Sequence, residues 1–289
     1  DSLELTHCIA EANIRNYDYL GYTYNNIHLD GEWNIKEING TLSINDDNLK
    51  LNIKGLADWD QNDTRFDLNV RFEDFTPAAL HLTQKNPDLC IGANTYISLY
   101  TSGTPKEMLD NLNGYIIIDS LNLVNGELAN TIEQFKVLID SETKEGLPYH
   151  QVRVQSDLVT GNLSGTFTYE ALPIISQHLL HKYLPILIDK PSGEYPANTN
   201  FDFYAYFREL DQLTSVLNLG IEIPSYPTIK GYLHNQQFGI QAFVPSIKTS
   251  KTQINDITFA LDNADSDKLD VSLYMLTHLP QDNPTAAKL

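Results

Sequence analysis

The chain has 289 residues, with 19 Lys and Arg against 38 Asp and Glu, and carries a formal charge of −19 at pH 7. A field of that sign repels nucleic acid and anionic membrane surfaces, so neither is expected as a partner. The hydrophobic share of 42% is that of a folded chain, and no window of about 18 apolar residues is present to span a membrane.

Four tyrosines, Tyr17, Tyr19, Tyr22 and Tyr24, cluster near the start. Further on, Asn45 to Asn48 reads as a hairpin loop between alternating strands. Leu49, Leu51 and Ile53 alternate with Lys50, Asn52 and Lys54. Phe66, Leu68, Val70 and Phe72 alternate with Asp67, Asn69 and Arg71. The same parity recurs at Phe201, Phe203, Ala205 and Phe207, and at Leu269, Val271, Leu273 and Met275. Period two with one greasy and one wet face predicts half-buried antiparallel strands. Asn235 to Gln237 and Asn263 to Lys268 supply further turns. Helices are predicted to be few: Thr76 to Leu80 and Thr104 to Leu109 each begin with a cap residue and a Pro. Glu170 to Tyr183 places Leu172, Ile175, Leu179 and Tyr183 on one stripe, which is expected to pack onto a sheet. Glu209 to Asn218 spaces Leu210, Leu213 and Leu217 helically. The most apolar stretch, Leu172 to Ile188, is interrupted by His178, His181, Lys182 and two prolines.

A short unit recurs: an apolar residue, any residue, a Gly, then a strand. It appears around Gly40, Gly114, Gly165 and Gly231. A second unit, a strand running into a short helix, appears at Phe66 to Pro77, Gly165 to Glu170 and Phe201 to Glu209. Repeated strand units predict an elongated stack. The expected fold is mainly β with short helices: an elongated, curved, antiparallel-rich sheet with interspersed amphipathic helices. Its expected regions are 1–104 with one short helix, 105–199 with the amphipathic helix, and 200–289 with one short helix. A two-domain β-sandwich is the alternative, because its turns look similar.

No phosphate loop, dinucleotide fingerprint, nucleophile elbow or paired-cysteine metal motif is present. His178 and His181 lie at i and i+3 on one helix, but no third ligand is evident. Asp58 to Asp63 has alternate carboxylates, yet lacks the Gly and the bidentate residue of a calcium loop. Asp262, Asp265, Asp267 and Asp270 read as a solvated turn. No catalytic residue, metal or cofactor is therefore expected, and the chain is read as a non-enzyme. Cys8 and Cys90 allow one bridge or none. The chain begins Asp1-Ser2-Leu3-Glu4, without Met or signal peptide, and reads as a piece of a longer precursor.

The stretch from Ile27 to Trp33 and on through Ile53 to Trp59, with Arg65 to Phe75, resembles the β-repeat region of the TamB family. More broadly it is similar to AsmA-like repeat proteins of diderm bacteria, of the kind found in Bacteroidetes. That resemblance implies a taco-shaped sheet with an apolar lumen that carries phospholipid acyl chains between inner and outer membranes or supports outer-membrane assembly. It implies a periplasmic location, an inner-membrane anchor outside this stretch, and for some members an Omp85-family outer-membrane barrel protein as partner. Groove-lining candidates are Leu51, Ile53, Phe66, Leu68, Val70, Phe72, Phe203 and Val271. The rival expectation is a secreted or surface β-sandwich module that binds carbohydrate or protein.

Overall fold

A computed structural model describes residues 7–59, 63–104, 107–183, 185–186, 188–264, 268–278 and 284–288. The first ten strands are β1 (His7–Tyr19), β2 (Tyr22–Asn34), β3 (Glu37–Asp46), β4 (Leu49–Trp59), β5 (Asp63–Phe75), β6 (Leu89–Ser102), β7 (Asn113–Asn125), β8 (Leu128–Lys144), β9 (Leu147–Ser156) and β10 (Val159–Thr166). Helix α1 (Ala171–Tyr183) follows, then β11 (Asn200–Phe207) and α2 (Asp211–Val216). The chain continues with β12 (Thr228–His234), β13 (Gln237–Lys248), β14 (Gln253–Asp262), β15 (Asp270–His278) and β16 (Pro284–Lys288). All sixteen form one antiparallel sheet whose spatial order is the chain order. The sheet is curved and elongated and does not close into a barrel. The two-sheet sandwich is thus not formed, and the three expected regions are stretches of one continuous sheet.

Each alternating segment forms a strand because its apolar parity matches that of both neighbours. Leu51 stands opposite Ile44 and Phe72, and Ile53 opposite Leu42 and Val70. Turn chemistry sets the register. His234 pairs with Gln237, leaving Asn235 (φ 50) and Gln236 (φ 70) in the left-handed region that a tight hairpin turn requires. The first loop is tighter than expected: Asp46 already pairs with Leu49, so only Asp47 and Asn48 turn.

The recurring glycine marks where neighbouring strands approach closely. A Cβ on Gly40, Gly114, Gly165 or Gly231 would lie 2.6, 2.0, 2.1 or 2.5 Å from a carbonyl oxygen of the next strand. Only glycine admits so close an approach, and such points introduce curvature into a sheet.

Two expected helices are not helices. Thr76 to Leu80 forms turns, closed by bonds from Leu80 N–H to Thr76 O and from His81 N–H to Ala78 O. The segment after Thr104 also forms turns over residues 107–111, and Pro105 and Lys106 lie outside the described residues. In both places one turn's worth of helix signal is too short to pass the nucleation cost. The other two hold. α1 carries Pro173 in its first turn, where the missing N–H is harmless. α2 is trimmed to Asp211–Val216, with Asn218 in the left-handed region (φ 52) just beyond it.

The packed cores lie at the margins of the sheet. Under α1, Ala171 and Ile175 pack with Leu233 and Phe238, joined by Leu179 and Phe201. Beside α2, Val216 packs with Leu89 and Leu123, joined by Leu213 and Leu217. The total accessible surface is 18408 Å², against about 12,000 Å² for a compact monomer of this mass. Most of the sheet therefore has no second layer.

Candidate functional site

Following directly opposed residues from strand to strand traces a row across one face. On β1 to β5 it runs Cys8, Trp33, Ile38, Ala57, Phe66. On β6 to β10 it continues Leu99, Gly114, Ile139, Val152, Leu163. On β11 to β15 it ends Phe203, Gly231, Ile240, Leu261, Val271. Every member is apolar or glycine.

A second row lies beside it, two residues along each strand. It runs Ala10, Gly31, Gly40, Gly55, Leu68, then Ile97, Ile116, Val137, Val154, Gly161. It finishes Ala205, Ile229, Ala242, Phe259, Leu273. Again no polar side chain interrupts it. Of the thirty positions only Gly161 is fully buried; the others are half-buried or exposed. Fourteen strand gaps at the usual spacing make each row about 67 Å long.

The expected groove residues all fall on this face. Phe66, Phe203 and Val271 belong to the first row and Leu68 to the second. Ile53 and Val70 are directly paired beside them, as are Leu51 and Phe72. Seven of the eight are half-buried. Val271 is the exception, 56% exposed. The opposite side of β5 is not simply wet. Arg71 is exposed, but Asp67 and Asn69 are half-buried, held by Ser98 (2.5 Å) and Asn94 (3.3 Å). The two faces of the central strands differ in chemistry rather than in burial, as befits a sheet open on both sides. Nor is the outer face uniformly acidic, since tyrosine, amide, threonine and lysine side chains share it with the carboxylates.

Two hollows deepen the apolar face. One of about 320 Å³ lies over β1 to β5, where Gly31, Gly40 and Gly55 give a floor without side chains between Trp33, Ile38 and Ala57 on one side and Leu29, Leu42 and Ile53 on the other. The other, about 660 Å³, lies beneath α1 between Leu172, Ile175 and Leu179 above and Val152, Leu163, Phe203 and Ile240 below. Ile53 and Leu68 are expected groove residues that line the first, and Phe203 lines the second. Val152, Val154 and Leu163 are not among the expected residues, although Val152 and Val154 carry the same period-two signal. Trp33 is also absent from that set, because a single tryptophan has no periodicity to reveal it as a wall.

Polar knots fix the margins. Asp46, 3% exposed, accepts hydrogen bonds from the Tyr22 hydroxyl, the Asn25 N–H (3.0 Å), the Asn25 amide (2.7 Å) and the Asn48 N–H (3.0 Å). Burial alone would push its carboxyl up, but the bonds donated by Tyr22, Asn48 and Asn25 outweigh that and hold it below the usual carboxylate range. Tyr22 is in turn pushed up, by burial first and by Asp46 second. At the opposite margin His150 is fully buried, with Nδ1 2.9 Å from Ser141 Oγ and Nε2 3.7 Å from Asp110 Oδ1. Ser141 Oγ donates to Leu112 O (2.7 Å), which leaves its oxygen free to accept from His150 Nδ1. Burial pushes the imidazole below its ordinary range, and Asp110 opposes this only in part.

The weaker chemical candidates do not converge. His181 bonds Ile188 O (2.7 Å), while the His178 ring packs edge-on against Tyr195. Among the described residues no three His, Cys, Asp or Glu side chains group as metal ligands. Asp58 lies within β4 and Asp63 begins β5, with 60–62 outside the described residues; Asp262 ends β14 and Asp270 begins β15, and Asp265 and Asp267 lie outside the described residues. Cys8 and Cys90 are free thiols on β1 and β6, and burial pushes Cys90 up. Among the described residues no helix is long and apolar enough to cross a membrane. Comparison with protein-family models, with curated proteins and with solved structures returned no match.

Proposed function

We propose that the chain is a lipid-conduit segment of a periplasmic AsmA-like or TamB-like protein, with the apolar face as the path of phospholipid acyl chains. The observation that carries this reading is the pair of uninterrupted apolar rows crossing fifteen strands with almost no covering layer. Such a face must meet something apolar, because water is a poor neighbour for it. An acyl chain laid along the rows gains about 0.8 kcal/mol for each methylene removed from water. The gain is spread over many equivalent contacts, so no single residue binds the lipid and successive methylenes slide past similar walls. The glycine floor over β2 to β4 leaves depth for a chain, and α1 roofs a second hollow in which a chain end is shielded from water.

On this reading the inner-membrane anchor and any Omp85-family partner belong to parts of the protein outside this stretch. Residues here supply the wall and its curvature, not chemistry. The test is lipid extraction and native mass spectrometry of the chain purified from the periplasm of a diderm bacterium. Co-purifying phospholipid, lost when Leu68 and Leu163 are both changed to Asp, supports the reading. A lipid-free chain that also takes up no phospholipid from vesicles contradicts it.

A further inference from the structure

The face opposite the apolar rows carries a second regular pattern. Across β10 to β15 the directly opposed residues are Thr160, Tyr206, Thr228, Phe243, Thr258 and Tyr274. Threonine and aromatic alternate without exception. Aromatic side chains on strands stabilise a sheet by pairing with a ring or a β-branched residue directly across from them. Threonines stand across from Tyr206 and Phe243, and Thr258 and Lys288 across from Tyr274, pairings that support the sheet without covering the rings. The rings also stay in solvent: Tyr206, Phe243 and Tyr274 are 50%, 38% and 40% exposed.

The spacing is the informative quantity. One aromatic on every second strand gives a repeat of about 9.6 Å. In an extended β-1,4-linked glycan alternate sugar rings present the same face, and the disaccharide period is close to this repeat. A pyranose has an apolar C–H face that stacks on an aromatic ring, and tyrosine adds a hydroxyl at the edge. The intervening threonines place small hydroxyls between the stacking points. Beside the row lies a hollow of about 680 Å³ bordered by Asn162, Tyr204, Lys230 and Gln241. These four are themselves directly opposed on β10 to β13, and their amides and ammonium are suited to sugar hydroxyls or N-acetyl groups. The net charge of −19 disfavours polyanionic polymers.

We infer that the outer face of β10 to β15 is a binding strip for an extended β-1,4-linked glycan, with Tyr206, Phe243 and Tyr274 as its stacking platforms. The strip lies on the opposite side of the sheet from the lipid path and does not rest on that reading. It gives the chain a means of lodging against a polysaccharide while its other face remains free.

Isothermal titration with chitohexaose and cellohexaose tests this, with the α-1,4-linked maltohexaose as the geometric control. The β-linked hexamers are expected to bind and maltohexaose is not. Tyr206→Ala, Phe243→Ala and Tyr274→Ala are each expected to weaken binding about tenfold, whereas Val124→Ala, exposed on the distant β7, leaves it unchanged. Melting curves for each variant separate loss of a platform from loss of the fold, and a folded variant with reduced affinity supports the strip. Three results would overturn the assignment: no binding of either β-linked hexamer at millimolar concentration, equal binding of maltohexaose, or affinity unmoved by all three substitutions.

Discussion

A side chain on Gly114 would place its Cβ 2.0 Å from the carbonyl oxygen of Ser98 on the neighbouring strand. Gly114 also holds φ at 127°, which L residues rarely adopt. Gly114→Ala is therefore expected to destabilise the sheet by about 1–3 kcal/mol through backbone strain alone, read as a lower urea midpoint. Gly126→Ala is the comparison: its turn has φ 62° but open space around it, so it carries the strain of φ without the clash and loses less.

The recurring glycine unit is visible in the sequence as a motif, but its reason is not. Nothing in Asn113, Gly114 and Tyr115 announces that a carbonyl from another strand will lie against them. Strand faces are legible because parity is local: Phe66, Leu68, Val70 and Phe72 identify their own side. That these faces join into rows depends on register across fifteen strands. Register is set by loops such as Asn235-Gln236, whose left-handed φ values are a property of the folded chain. The two short helices expected after β5 and β6 do not form for a related reason. A cap and a Pro mark where a helix can start, not whether enough residues follow to sustain it.

Asp46 gathers four donors at one margin. Asp46→Ala leaves the Tyr22 hydroxyl and the Asn25 and Asn48 groups without their acceptor, at an expected cost of about 1–3 kcal/mol. Because the folded carboxyl is held below its ordinary value, its contribution is complete above the unfolded-state pKa of 3.8 and is lost as pH falls through the folded value. Acid unfolding of the Asp46→Asn variant is accordingly less steep below pH 4, which equilibrium denaturation across that range will show.

His150 acts over a different window. Its folded pKa lies below the ordinary 6.5, so the unfolded chain binds more protons once the pH drops under that value. Stability is full above pH 6.5 and declines as the solution is acidified toward the folded pKa. His150→Gln removes the titration, so its melting temperature is expected to be lower at pH 7.5 and nearly level down to pH 5.5, where that of the parent chain falls. A parent chain whose melting temperature rises on acidification would show that Asp110 dominates the site instead.

The central claim, that the face bearing Leu68 and Leu163 is a lipid path, is tested most directly by site-specific photo-crosslinking in living cells. A photoreactive amino acid is placed at Leu68 or Leu163 on the apolar rows, or at their strand neighbours Asn69 and Asn162 on the opposite face. The account predicts phospholipid adducts at Leu68 and Leu163 and none at Asn69 or Asn162. Adducts of equal yield on both faces, or none at the two leucines in a chain that folds, would contradict it.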